Sequence, residues 1–181
     1  DSVRSVDQNH ILFIEGNWYA NDFSGLTPPW DSNMVYSPHK YWSENYPADI
    51  QWVIDIRNAW NVPLWFGESG ENSNVWFRDA IRLIEDHDIG WAWWPMKKLE
   101  SISCPMSVTK TVDFQNLLDY WSGGSGQPSA SYTISTLNQL TEDLKLENCH
   151  YQKDVIDAMF RQVNSNETLP FDSIAEIPGR I

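Results

Sequence analysis

Apolar residues gather in four short runs through the first hundred positions, each closed by glycine, proline or a polar group. Ile11 to Ile14, Asn33 to Pro38, Val62 to Phe66 and Ile89 to Trp94 are too short for helices. They are rich in β-branched and aromatic side chains, and so predict strands. Their apolarity is continuous rather than alternating, as in parallel strands covered on both faces. Between them the period changes. Ile50, Val53, Ile54, Ala59 and Trp60 recur at helical spacing, and Pro47 suits a first turn, where its missing N–H is no loss. Trp76, Phe77, Ala80, Ile81 and Ile84 form a second stripe that Asn72 or Ser73 can cap and His87-Asp88 closes. Strand, loop, strand, helix, strand, helix, strand implies parallel strands with crossovers, hence an α/β architecture.

The rest of the chain is less regular. Residues 1–6 predict the frayed end of a helix, and Gly16 through Trp30 a long ordered loop of turn formers and aromatics. Ser101 to Lys110 is irregular and polar. A helix with stripe Phe114, Leu117, Leu118 and Trp121 stops at Gly123-Gly124, a strong C-terminal signal. After a Gly/Ser loop come two more helices, with stripes Leu137, Leu140, Leu144 and Val155, Ile156, Met159, Phe160, Val163. Residues 164–181 have no period and read as a linker or tail. The predicted organisation is a strand-bearing domain over 1–110, a helical extension packing on it over 111–163, and the linker.

Composition narrows the partners. The chain has 181 residues and a net charge of −13, which argues against nucleic acid and anionic membrane surfaces. No apolar run approaches the roughly 20 residues of a membrane span. Eleven tryptophans are several times the usual complement, and their flat apolar faces suit both cores and sugar rings. Cys104 and Cys149 are too few for a metal ribbon or disulfide scaffold, though one bridge between them is allowed. No metal or cofactor is indicated. The chain starts at Asp1 without Met, as if in mid-domain, and carries no signal peptide.

In α/β folds of this order, chemistry collects at the carboxyl ends of the strands. Here those ends present Glu15 and Trp18, then His39 and Tyr41, then Glu68, then Trp94 and Lys97. A carboxylate can stabilise or trap an oxocarbenium-like state, a tyrosine can orient it, a histidine can bond sugar hydroxyls, and tryptophans can carry a pyranose. Each residue also has a plainer role. Glu68 can be a solvated strand end, His39 a buried strand residue, Tyr41 a core residue with a wet tip, and Glu15 a structural carboxylate. At least one of Trp91, Trp93 and Trp94 is core.

Taken in order, His39-Lys40-Tyr41-Trp42, Trp65-Phe66-Gly67-Glu68-Ser69-Gly70 and Gly90-Trp91-Ala92-Trp93-Trp94-Pro95-Met96-Lys97-Lys98 resemble strands six, seven and eight of glycoside hydrolase family 5. Ile11 to Trp18 resembles strand five. The resemblance implies strands five to eight, the C-terminal half of a (β/α)8 TIM barrel, followed by extra C-terminal helices. It implies a retaining hydrolase, cellulase- or β-glucanase-like, with Glu68 as nucleophile and His39 and Tyr41 as the active-site pair. Trp94 becomes the platform beneath the sugar, with Trp18, Trp30 and Lys97 as further cleft residues. The family's acid/base lies in an Asn-Glu-Pro motif that this sequence does not contain, so the resemblance places that residue upstream of Asp1 and leaves this stretch nearly inactive alone. The partners implied are a polysaccharide or oligosaccharide and the missing half-barrel, or self-association through open sheet edges. A secreted enzyme is implied as well. Phe171 to Ile181 resembles the opening of a family 6 carbohydrate-binding module. A non-catalytic carbohydrate-binding protein and a structural half-barrel are the rival readings.

Overall fold

A computed structural model describes residues 2–160 and divides the chain into two compact units, residues 1–94 and 95–181. In the first unit the four apolar runs form four parallel rows in chain order. The first row is β1 (Leu12–Ile14), and the second is β2 (Met34–Tyr36) followed by β3 (His39–Lys40). The third is β4 (Trp65–Phe66) followed by β5 (Glu68–Ser69), and the fourth is β6 (Gly90–Trp91). β1 pairs with β2, β3 with β5 and β4 with β6, all parallel. Single bridges Tyr36–Leu64 and Gly70–Trp94 join the remaining neighbours. The pairing places His39 opposite Glu68 and Phe66 opposite Trp91. Gly67 lets the third row lie close to the second, because a Cβ there would meet Ser37 Oγ at 2.2 Å.

Helices connect the last three rows. α2 (Pro47–Trp60) has proline in its first turn, the Asp49 carboxylate accepting from the Tyr46 N–H at 2.8 Å, and a left-handed Asn61 at its end. It buries Ile50, Val53 and Ile54. α3 (Asn74–Glu85) is capped by Ser73, whose Oγ accepts from the Trp76 N–H, and buries Phe77, Ala80, Ile81, Leu83 and Ile84. Their apolar faces close a core with Met34, Tyr36, Leu64, Phe66 and Ile89. Each such side chain, fully buried, contributes about 1.5–3 kcal/mol.

The loop after β1 contains one turn of the wrong hand. Over α1 (Asn17–Ala20), Trp18, Tyr19 and Ala20 have φ of 50°, 54° and 58°. Left-handed L-residues cost roughly 1–2 kcal/mol each. The turn is clamped by reciprocal backbone bonds between Asn17 and Asp22, at 2.7 and 3.0 Å. Ala20 and Phe23 are buried, and that burial offsets the backbone cost. Residues 2–6 form turns rather than a helix end. Arg4 there binds both carboxylate oxygens of Asp31, at 2.7 and 3.0 Å.

The second unit begins at Pro95, ahead of the boundary expected at 110. The difference has a clear origin. β7 (Lys97–Leu99) pairs parallel with β8 (Met106–Val108), and β8 pairs antiparallel with β9 (His150–Tyr151). Residues 97–108 thus find strand partners beside the helical segment, and the stretch expected to be irregular contains β8. Around them lie α4 (Val112–Trp121), α5 (Ala130–Asp143), a 3-10 turn at Leu146–Asn148 and α6 (Lys153–Phe160). α6 buries Val155, Ile156 and Met159 as the stripe requires. In α5 the expected stripe holds only in part: Leu140 is half-buried, Leu137 and Leu144 are exposed, and Thr136 is the buried residue. Tyr132 ties α5 to α4, its hydroxyl donating to Asp113 Oδ1 at 3.0 Å. Cys104 and Cys149 are both free thiols. Val163, the predicted linker and the Phe171–Ile181 resemblance lie outside the described residues. Among the described residues, no helix is long and apolar enough to cross a membrane.

Candidate active site

His39 lies on β3 and Tyr41 in the bend just after it, and both side chains turn toward the strand that carries Glu68. Glu68 sits in register with His39 on the adjacent strand. The three groups therefore meet. The Tyr41 hydroxyl donates to Glu68 Oε2 at 2.7 Å, and His39 Nδ1 stands 3.5 Å from the same oxygen. The other ring nitrogen, Nε2, is 3.3 Å from Glu15 Oε1, at the end of β1. His39 is buried, whereas the Glu68 side chain remains 36% exposed. Its carboxylate opens into a cavity of about 530 Å³ lined by Tyr19, Asn21, His39, Lys40, Tyr41, Trp42, Ser43, Glu68 and Glu71.

Burial, and then the hydrogen bond to Glu68, push the Tyr41 phenol above its ordinary value; the charges of Glu68 and Glu71 act in the same direction. The phenol therefore stays a donor throughout the neutral range. Lys40 supports the wall from behind. Its ammonium donates to Ser43 Oγ at 2.6 Å and to the Glu44 carbonyl at 2.7 Å, and lies 5.4 Å from the centre of the Trp76 ring. It is buried, which depresses its pKa to about 8 despite the opposing charges of Asp49 and Glu44. The ammonium ties down the loop that carries Tyr41 and Trp42.

The remaining predicted residues fall in different places. Trp94 is half-exposed on the fourth row, where its N–H donates to the Ser69 carbonyl at 2.7 Å, next to Glu68 in sequence. Trp18 is exposed in the left-handed turn, beside the cavity-lining Tyr19. Trp30 lines another cavity, of about 590 Å³, with Pro28, Pro29, Trp60 and Pro63. That cavity lies where the rows begin, before Met34 and Leu64. Lys97 belongs to β7 of the second unit, and its ammonium donates to the Leu144 carbonyl. Sequence reasoning missed Trp42, Tyr19, Asn21 and Glu71 as cavity residues. Trp42 had a signal: the residue after Tyr41 is a large aromatic at a strand end, and it stands 77% exposed. Glu15 was read as structural, yet it touches the imidazole of the site.

The parallel rows thus bring a half-exposed carboxylate, a tyrosine and a histidine to one set of strand ends, where α/β folds place their sites. Residues 1–99 match the family Cellulase (glycosyl hydrolase family 5), and the chain belongs to that family. Among solved structures, the Clostridial cellulose synthase subunit Z (CcsZ) from Clostridioides difficile aligns at 14% identity with a TM-score of 0.54, covering 88% of this chain and 52% of that one. That likeness shows a shared fold. Endoglucanase Cel5A from the hyperthermophilic Thermotoga maritima aligns at 19% identity and TM-score 0.42, over 51% of this chain and 42% of that one. XacCel5A aligns at 13% and 0.40, over 70% and 47%. The chain spans about half the length of the structures it matches. No curated relative matches the sequence.

Proposed function

We propose that this chain carries the nucleophile side of a retaining glycoside hydrolase acting on a β-glucan-type polysaccharide. One observation carries the reading: Glu68 Oε2 receives the Tyr41 hydroxyl at 2.7 Å on the wall of an open cavity. In this reading Glu68 attacks the anomeric carbon, and the bond to the leaving oxygen breaks as the glycosyl ester forms. Tyr41 and His39 hold the carboxylate and aim it. Trp42, Tyr19, Trp18 and Trp94 supply aromatic surface for sugar rings, while Trp30 is left out because it lines the other cavity and Lys97 because its ammonium is engaged by the Leu144 carbonyl.

The four parallel rows correspond to strands five to eight of a (β/α)8 barrel, with residues 95–160 as the extension after the last strand. A retaining pair needs two carboxyl groups about 5–5.5 Å apart. The second is assigned to a residue outside these 181, on a complementary half-barrel, so the chain alone turns over natural substrate very slowly. The enzyme's place is extracellular, with its polysaccharide. The test is covalent trapping with a dinitrophenyl 2-deoxy-2-fluoro-β-cellobioside, whose activated leaving group relaxes the need for the acid. A single glycosyl adduct on the peptide containing Glu68, absent from Glu68→Gln, supports the reading. Saturable sugar binding without an adduct would favour a non-catalytic carbohydrate-binding protein.

A further inference from the structure

The imidazole of His39 lies between two carboxylates. Nε2 faces Glu15 Oε1 at 3.3 Å and Nδ1 faces Glu68 Oε2 at 3.5 Å. Among the described residues, the charged and titratable groups at this junction are Glu15 beyond β1, Glu68 on β5 and Tyr41, which shares Glu68 Oε2, with Glu71 and Tyr19 on the same cavity wall. Lys40 is adjacent in sequence, but its ammonium is turned to Ser43 and Glu44. A neutral imidazole has one N–H and one lone pair, so it can serve only one of the two carboxylates as donor. Which nitrogen carries the hydrogen is set by the partner of the other. Of the two contacts, the one to Glu15 has hydrogen-bond geometry, and the one to Glu68 is longer.

We infer that Glu15 is a positioning residue that fixes the hydrogen of His39 on Nε2, so that Nδ1, facing Glu68, is the position where a second proton arrives and leaves. This inference rests on the reading of Glu68 as nucleophile. When the ring is neutral, Glu68 Oε2 has one donor, the Tyr41 hydroxyl. When Nδ1 takes up a proton from solvent, the same oxygen has two donors, and the imidazolium lies between two carboxylates. That second donor favours Glu68 as a departing carboxylate when its glycosyl ester is cleaved, and the hydrogen stays on Nδ1 throughout. A residue at the end of β1 thereby decides which proton on His39 reaches the nucleophile.

Glu15 is more than half exposed, so its substitution leaves the core intact. The experiment is two-bond nitrogen–proton correlation spectroscopy of the histidine rings, read where the ring-nitrogen shifts themselves report a neutral imidazole. The full chain is compared with Glu15→Gln, Glu15→Ala and Glu15→Asp. The expected wild-type pattern is the Nε2–H tautomer as the main form. Glu15→Gln, whose amide can donate as well as accept, and Glu15→Ala should both show an Nδ1–H population at least several-fold larger. Glu15→Asp should restore the original pattern at least in part. A dominant Nδ1–H tautomer in the wild type, or identical patterns in all four proteins, would overturn the inference. Labelling by the 2-fluoro cellobioside is read in parallel. If the wild type takes no label, the nucleophile reading falls, while the tautomer pattern still decides the role of Glu15.

Discussion

Gly70 is the residue whose replacement tests most directly how the site is held. It follows Glu68-Ser69, has φ of +139°, and pairs with Trp94 on the next row. A Cβ built there would stand 2.1 Å from the Trp94 carbonyl oxygen and 3.2 Å from Trp93 Nε1. Backbone cannot give way as a flexible side chain would, so Gly70→Ala must part the two rows. The backbone conformation alone costs about 1–3 kcal/mol. Loss of the bond from the Trp94 N–H to the Ser69 carbonyl adds about 0.5–1.5 kcal/mol. A total of about 2–4 kcal/mol corresponds to a Tm lower by roughly 5–15 °C for a chain of this size. Gly25→Ala is the control: φ is +78°, but no atom lies within 4 Å of the added Cβ, so only conformational strain remains. Thermal unfolding followed by circular dichroism should show a clearly larger loss for Gly70→Ala than for Gly25→Ala. Equal losses would refute the claim that close approach of the rows, rather than backbone freedom, requires glycine there.

Three further outcomes follow from the same geometry. Tyr41→Phe removes the short donor to Glu68, and hydrogen bonds to charged groups are worth about 1.5–3 kcal/mol, so labelling of Glu68 by the fluoro-sugar should slow by about 10- to 100-fold; unchanged labelling kinetics would count against Tyr41 as a holder of the carboxylate. Arg4 and the Asn33 N–H depress the Asp31 carboxyl from 3.8 to about 2. Its contribution to stability is therefore complete above pH 4 and disappears as pH falls through 2, so the gap between wild type and Asp31→Asn in acid unfolding should close over that window. Burial lowers the folded-state pKa of Lys40 to about 8 from 10.5. The unfolded chain then holds more protons between those values, and stability relative to Lys40→Met should rise from pH 8 to 9.5, as read by urea unfolding. A falling difference would reverse the sign and exclude burial as the cause.

The regular part of this fold was legible because period and burial agree. Four continuous apolar runs became the four parallel rows, and the stripes of α2 and α3 are the faces that close the core. His39, Tyr41 and Glu68 were legible together for a geometric reason. All three stand at or just after strand ends, and consecutive parallel strands put those ends side by side. What escaped depends on contacts distant in sequence. The left-handed turn at Trp18–Ala20 exists because Asn17 bonds Asp22 and Phe23 is buried, and no local propensity favours it. β8 and β9 are short strands that hold each other across some forty residues, so neither has a pattern strong enough to read alone. On α5 the leucine stripe marks the covered face only in part, and Tyr132 makes polar contacts to α4. Glu15 looked like a carboxylate beside a turn until β1 brought it under the imidazole of His39.

The parts of the candidate site share one dependence. Glu15 follows β1, His39 and Tyr41 lie on or after β3, and Glu68 is on β5, so every contact among them crosses between adjacent parallel rows. None is made within a single element. A slip of one residue between β3 and β5 would turn His39 to the opposite face and remove both its contact and that of Tyr41 at once. The contacts that hold register are Gly67 against Ser37 and the bond from the Gly67 N–H to the Pro38 carbonyl at 3.0 Å. Orientation of the carboxylate and integrity of the sheet are therefore not separable quantities here. Substitutions that loosen the rows outside the cavity lining, such as a side chain at Gly90 against the Trp65 ring, should reduce labelling of Glu68 in step with their loss of stability, whereas Tyr41→Phe should reduce it by more than its loss of stability explains.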